Sequence, residues 1–217
     1  CERLSEIDVP VYILPGNHDF SGSPASVYHR PLFQRQKPEH VHVLTETGPL
    51  LVGSGEPGEA DAAILPAPVE RRNERGVPTR HLDADFGPQG VIRIGLAHGG
   101  VEDFGEGEAA SRIDPVRAEE ADLDYLALGD WHGTKQVGPR TWYSGTPEPD
   151  SFAQNDPGNV LVVEIEPEEE PSVEKVPTGT HRWLRKEETL RDREDVEALR
   201  RWFEGIVGEL PGWFQSM

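Results

Sequence analysis

This sequence predicts an α/β fold, and three observations carry that expectation. Short apolar runs rich in Val, Ile, Leu and Tyr recur at 9–14, 62–65, 91–97 and 122–128, each of strand length. A stretch of good helix formers separates the last two, giving strand, helix, strand, the unit from which parallel sheets are built. Three of the runs then pass directly into polar, glycine-bearing turns that contain histidine, at 16–19, 98–100 and 129–133. Polar residues at strand ends are where α/β folds gather their chemistry.

Taken in order, the run at 9–14 has β-branched and aromatic members and closes at Pro15-Gly16, so it reads as a buried strand feeding a tight turn. Residues 25–35 suit a short helix, and 40–44 alternate at period two, as a half-exposed strand does. A strand is expected at 62–65. Between 66 and 90 the chain is rich in Arg, Pro, Gly and Asp with neither period, which predicts a long surface loop. The strand at 91–97 ends at His98-Gly99-Gly100. Asp114-Pro115 then offers an N-cap and a first-turn proline for a short helix, followed by the strand at 122–128. A boundary is expected near 158, dividing a core at 1–157 from a small strand-plus-helix cap at 158–217. In the cap, strands are expected at 159–166, 172–176 and 181–186. A helix follows, with Asp192 as N-cap, Asp195 three residues on, and Val196, Leu199, Trp202, Phe203, Ile206 and Val207 at helical spacing.

Composition narrows the function. At 217 residues the chain is one large domain, or a domain with an appendage. Forty acidic against 21 basic residues leave a formal charge of -19, which opposes broad adhesion to nucleic acid or anionic membrane. A local basic groove stays open to it. With a single cysteine, Cys1, neither an internal disulfide nor a cysteine-rich zinc site is available, and the expected setting is the cytoplasm. No apolar run approaches the ~20 residues needed to cross a bilayer. The chain opens with Cys1 in place of Met and is expected to be cut at its N-terminus.

The chemistry is concentrated in three turns. In Gly16-Asn17-His18-Asp19 an amide oxygen and an imidazole stand side by side on a glycine turn, which suits a divalent metal and its substrate. An ordinary turn would use the same residues. His98 follows a strand directly, where a satisfied polar histidine is also common. In Gly129-Asp130-Trp131-His132, residues i and i+2 of an extended segment face one way and present a carboxylate and an imidazole together. As a set, the three suit a two-metal phosphoryl site of nitrogen and oxygen donors.

These motifs, Gly-Asn-His-Asp at 16–19, Leu-Ala-His-Gly at 96–99 and Asp-Tyr-Leu-Ala-Leu-Gly-Asp-Trp-His at 124–132, resemble those of the calcineurin-like metallophosphoesterase superfamily in order and spacing. Within it the chain is most similar to the SbcD-type DNA repair exonucleases, through Tyr125-Leu-Ala-Leu-Gly129, Trp142-Tyr-Ser-Gly-Thr-Pro-Glu148 and the small cap. The resemblance implies a sandwich of mixed β-sheets flanked by helices, incomplete at the N-terminus, with a small α+β cap. It implies two divalent ions, manganese first, with magnesium, iron or zinc as substitutes. Asn17 and His98 match ligands of one ion, and Asp130 stands where the branch carries a histidine for that ion. His132 matches a ligand of the other ion. His18 matches the catalytic histidine beside the leaving-group oxygen, and Asp19 is expected to orient it. A carboxylate at 130 favours harder ions.

The family pattern also has an Asp-x-His and a Gly-Asp block before the position of Gly16. Neither is present in the 15 residues that precede it. The expectation is therefore a fragment that binds metal weakly and turns over little. Partners expected are DNA as substrate, a coiled-coil ATPase and a second copy of the chain. The loop at 70–80, with Arg71, Arg72, Arg75 and Arg80, could meet phosphates or simply be solvated among Glu70, Glu74 and Asp83. Two further functions stay open: a small-molecule phosphodiesterase or phosphatase, which the acidity favours, and a noncatalytic module with a degenerate site.

Overall fold

The computed structural model describes residues 3–53, 60–72, 77–83, 90–101, 112–152, 155–167 and 169–209. Cys1, Glu74 and Arg75 lie outside the described residues, as does the side chain of Val207. Contacts divide the chain into two units, Cys1–Arg182 and Trp183–Met217.

The first unit is mixed α/β. A 3-10 turn at Arg3–Glu6 precedes β1 (Val11–Ile13), and a second at Val27–His29 runs into α1 (Pro31–Gln36), whose proline takes a first-turn position. β1 pairs in parallel with β2 (Val41–Val43). The alternation expected at 40–44 is present: Val41 is fully buried while His42 is exposed. β1 differs from its expectation. It is only half-buried, because it belongs to a two-stranded sheet, and Val9 ahead of it is exposed.

Six strands form the main sheet: β3 (Leu50–Val52), β4 (Ala62–Ala67), β5 (Ile92–His98), and, beyond β6 (Gly100–Val101), β7 (Arg112–Ile113) and α2 (Arg117–Glu120), the strands β8 (Tyr125–Gly129), β9 (Lys135–Gly138) and β10 (Thr141–Tyr143). Their order is β3-β4-β5-β8-β10-β9. The four inner strands are parallel and the two edges antiparallel. The β5–α2–β8 crossover confirms the expected strand, helix, strand, with α2 beginning later than Asp114-Pro115 suggests. Asp114 caps the preceding turn, accepting from the Val116 amide at 3.0 Å. β4 is apolar throughout because it lies inside the sheet, and five of its six residues are buried.

Leu65, Ala97, Leu126 and Leu128 from the sheet pack with Leu82, Ile113, Ala118 and Leu123 in one core. The segment at 66–90 is thus more than surface loop: Val69, Thr79 and Leu82 are buried in it. Arg117, itself buried, holds it down through Thr79 Oγ1 at 3.2 Å, Thr79 carbonyl at 3.0 Å and the Asp83 carboxylate. A buried guanidinium is tolerated when its donors are filled in this way.

β11 (Asn159–Glu164) and β12 (Ser172–Pro177) form an antiparallel hairpin. The third strand expected at 181–186 does not form. The reason is local: the amides of Thr180 and His181, which a ladder would use, donate instead to the Glu148 carboxylate at 2.9–3.1 Å. Bonds from the Thr180 hydroxyl and the His181 ring add to these and pull the Glu148 pKa down to about 2. A depressed carboxyl pKa contributes stability that is present above the unfolded value and lost as pH falls through the folded one. Glu148→Gln is therefore expected to remove a pH-dependent contribution between about 4.5 and 2, visible as two acid-unfolding curves that differ above pH 4.5 and converge in strong acid.

In the second unit, α3 (Arg193–Glu209) starts as expected. Asp192 Oδ1 accepts from the amides of Glu194 and Asp195 at 2.8 and 3.1 Å, and Asp195 Oδ2 returns to the Asp192 amide at 3.4 Å, a reciprocal cap. Its apolar stripe is only partly covered, with Val196 and Phe203 exposed. Among the described residues no helix is long and apolar enough to cross a membrane.

Candidate functional site

The parallel strands β5 and β8 end side by side, with His98 in register with Gly129. The turn after β1 reaches the same place because the segment from Pro15 is tied to the chain beyond β4. The Val69 amide donates to Pro15 at 3.2 Å, and Ser21 and Gly22 donate to Val69 and Glu70 at 3.1 Å. The result is a cavity of about 260 Å³ whose lining includes Asn17, His18, Asp19, His98, Asp130 and His132. All six residues singled out from sequence therefore meet at one cavity. Ser144, Gly145 and Thr146, from the chain following β10, close a further side.

At its floor three side chains touch. His98 Nε2 lies 3.2 Å from Asn17 Oδ1 and 3.5 Å from Asp130 Oδ1, and Asn17 Nδ2 donates to Asp130 Oδ1 at 3.2 Å. The imidazole sits between two glycines for a steric reason. A Cβ on Gly16 would stand 2.6 Å from His98 Cε1, and one on Gly129 would stand 2.8 Å from His98 Nδ1. At either glycine a Cβ would force the imidazole to move.

Asp130 adopts φ +102°, a region that non-glycine residues rarely occupy and that costs of order 1–3 kcal/mol. The His98 hydrogen bond, with the nearby charges of His98 and His132 and the Asn17 amide, holds its carboxyl below the usual range against the opposing effect of burial. Replacing Asp130 by glycine should relieve the backbone while removing the carboxylate. The expected outcome is unchanged or higher thermal stability, by up to about 1 kcal/mol, together with lost manganese affinity. Denaturation and metal titration of the same sample check both halves.

Behind the floor, the buried Tyr143 hydroxyl donates to the Gly99 carbonyl at 2.7 Å and so fixes the turn that follows His98. Burial, and secondarily the Asp130 charge, push this phenol's pKa up, a hydrogen bond at Val101 offsetting part of the shift. The Asp19 carboxylate accepts from the Gly16 amide at 2.7 Å and from the Tyr28 hydroxyl, and so secures the turn that carries His18. His18 is exposed at the cavity rim. His132 stands apart from the three-residue floor, with its Nδ1 2.6 Å from Asp150 Oδ2.

The donor set can be tested against the ions that the resemblance implies. Ligands at right angles on a divalent ion with ~2.1 Å bonds stand about 3 Å apart, close to the 3.2 and 3.5 Å from His98 Nε2 to Asn17 Oδ1 and Asp130 Oδ1, whereas Asn17 meets Asp130 through its amide nitrogen, which is not a ligand atom. An amide oxygen, an imidazole and a carboxylate also suit manganese, magnesium, iron or zinc. The residue types suit one ion, with two of the three spacings between ligand atoms. A second ion has only His132 from the expected set. Among the described residues no group of three or more His, Cys, Asp and Glu side chains is arranged to hold a metal; the third donor of the floor is an amide.

Sequence reasoning passed over Asp150 and Tyr28, which hold His132 and Asp19, while the segment from Tyr143 to Pro147, which reads either as one wall of the site or as a plain turn, does contribute Ser144, Gly145 and Thr146 to the lining. Compared with known proteins, the chain matches no family model and no curated protein.

Proposed function

We propose that this chain carries out metal-dependent hydrolysis of phosphodiesters, as a calcineurin-like metallophosphoesterase nearest the SbcD-type DNA repair exonucleases. The observation that carries the reading is the meeting of Asn17, His98 and Asp130 within 3.2–3.5 Å at the ends of adjacent strands, with Asp130 held there in a costly backbone conformation. On this reading the fold is the family's sandwich, and the setting is the cytoplasm. Asn17, His98 and Asp130 hold one ion, manganese first, and His132 contributes to another. Such ions supply Lewis-acid polarisation of the phosphate and a hydroxide nucleophile at neutral pH. His18, at the rim, holds a proton for the departing oxygen. Asp19 and Tyr28 keep its turn in place. DNA is the substrate on this reading, with a coiled-coil ATPase as partner.

A second reading, a small-molecule phosphodiesterase, is favoured by the charge of -19, which opposes a polyanionic substrate. Assaying manganese-dependent cleavage of linear DNA and of bis(p-nitrophenyl) phosphate separates the two. In either assay His18→Ala is expected to lower turnover by about 10²–10⁴-fold with manganese affinity unchanged. Equal rates for wild type and variant would remove His18 from the mechanism.

A further inference from the structure

His132 is the ring that the floor of the cavity leaves out, and its surroundings are built from a different part of the chain. Its carbonyl accepts from the Thr146 amide at 2.8 Å and the Thr146 hydroxyl at 3.2 Å. The Thr134 hydroxyl donates back to the Ser144 carbonyl at 2.9 Å. Gly145, at φ +76°, comes so close that a Cβ would lie 2.6 Å from the Gly133 carbonyl carbon. The loops after β8 and after β10 are therefore locked backbone to backbone beside this histidine.

The second loop is anchored again farther on. The Gly158 amide donates to the Thr146 carbonyl at 2.7 Å, the Thr178 hydroxyl to the Pro147 carbonyl at 2.8 Å, and Glu148 is bound by Thr180 and His181. Two residues beyond Glu148, Asp150 reaches back to His132 Nδ1 at 2.6 Å. The bonds at Thr146, Pro147 and Glu148 thus fix the loop that carries Asp150, although the His132–Asp150 pair itself is exposed to solvent.

We propose that Asp150 is a positioning residue for the site: it fixes His132 in the tautomer whose Nδ1 carries the proton, so that Nε2 keeps its lone pair for the cavity. An ionised carboxylate can only accept, so a neutral imidazole facing it at Nδ1 must donate there. The other nitrogen is then left basic and unprotonated, as a metal-binding histidine requires. This assignment rests on the phosphoesterase reading for its purpose. The tautomer itself does not depend on that reading.

The test uses the whole 217-residue chain, labelled with ¹⁵N at histidine, as wild type, Asp150→Asn and Asp150→Glu. Ring nitrogen shifts are recorded at pH 8 without metal and then during titration with Mg²⁺. Expected without metal is a His132 ring protonated at Nδ1 in wild type and in Asp150→Glu. In Asp150→Asn the ring should move toward the Nε2-protonated form, because the side chain can rotate to donate. With Mg²⁺ the asparagine variant should bind about 10–100-fold more weakly, and the glutamate variant should recover most of that loss. The proposal is overturned if wild type and Asp150→Asn share one tautomer mixture, or if Mg²⁺ shifts His132 in both with the same affinity. Mg²⁺ that shifts no histidine in any variant, with the tautomer difference intact, would instead refute the phosphoesterase reading and leave Asp150 as the residue that sets His132.

Discussion

His98→Ala is expected to remove divalent-ion binding from the cavity, with manganese affinity falling at least the ~10–100-fold seen when even an outer-shell partner of a ligand is lost. The imidazole is the only nitrogen ligand of the three, and its loss leaves Asn17 and Asp130, which contact each other at 3.2 Å, as two donors without a third. Gly16→Ala should reproduce most of this effect without touching a ligand. Its φ lies outside the left-handed region, so the backbone can accept alanine, but the new methyl would stand 2.6 Å from His98 Cε1. The ring must turn away, and on its other side it already packs beside Gly129. Isothermal titration with Mn²⁺ of wild type, His98→Ala and Gly16→Ala measures this. A Gly16→Ala protein that is folded and binds as wild type would show that the ring position is irrelevant to the site.

Leu126→Ala is expected to have the largest effect on stability. Leu126 is fully buried near the middle of β8, with β5 on one side and β10 on the other, and its Cδ1 lies in the space above Gly95. Truncation of such a leucine leaves a cavity and costs about 2–5 kcal/mol, which for a chain of this size lowers the melting temperature by roughly 5–15 °C. Because β8 also delivers Asp130 and leads to His132, the same variant should bind manganese more weakly near its transition and normally well below it. Thermal denaturation with and without Mn²⁺ follows both.

The parts of the fold that could be read from sequence are those in which local pattern and burial agree. β5, apart from Arg93 and its terminal His98, and β8 are apolar runs because they lie inside a parallel sheet, and α3 has both halves of its cap in Asp192 and Asp195. β3, β6 and β7, of two or three residues, and β9, a four-residue edge strand, carry no period that marks them. The segment at 66–90 reads as solvent-facing loop because its buried start at 66–69 is broken by two prolines, and beyond it Thr79 and Leu82 are isolated buried residues among polar ones. What buries Thr79 is Arg117, a residue 38 positions away.

The site divides along the same line. Asn17, His98, Asp130 and His132 were legible because each sits in a short motif at a strand end. Asp150 was not, since in Pro147-Glu148-Pro149-Asp150 it reads as one more acidic turn residue, and only the locking of two loops brings it to His132. Tyr28 was hidden for a similar reason, because a tyrosine in a helical turn is ordinarily packing, and here its hydroxyl holds Asp19.

The central claim is that residues from three separate strand ends form one cation centre. It is tested most directly by adding substoichiometric Mn²⁺ to the histidine-labelled chain and following all eight imidazoles, since paramagnetic broadening falls steeply with distance from the ion. The predicted result is selective loss of the His98 signal first, with His132 and His18 close behind, while His29, His40, His42, His81 and His181 stay sharp. Uniform broadening of all eight, or broadening that spares His98, would contradict it.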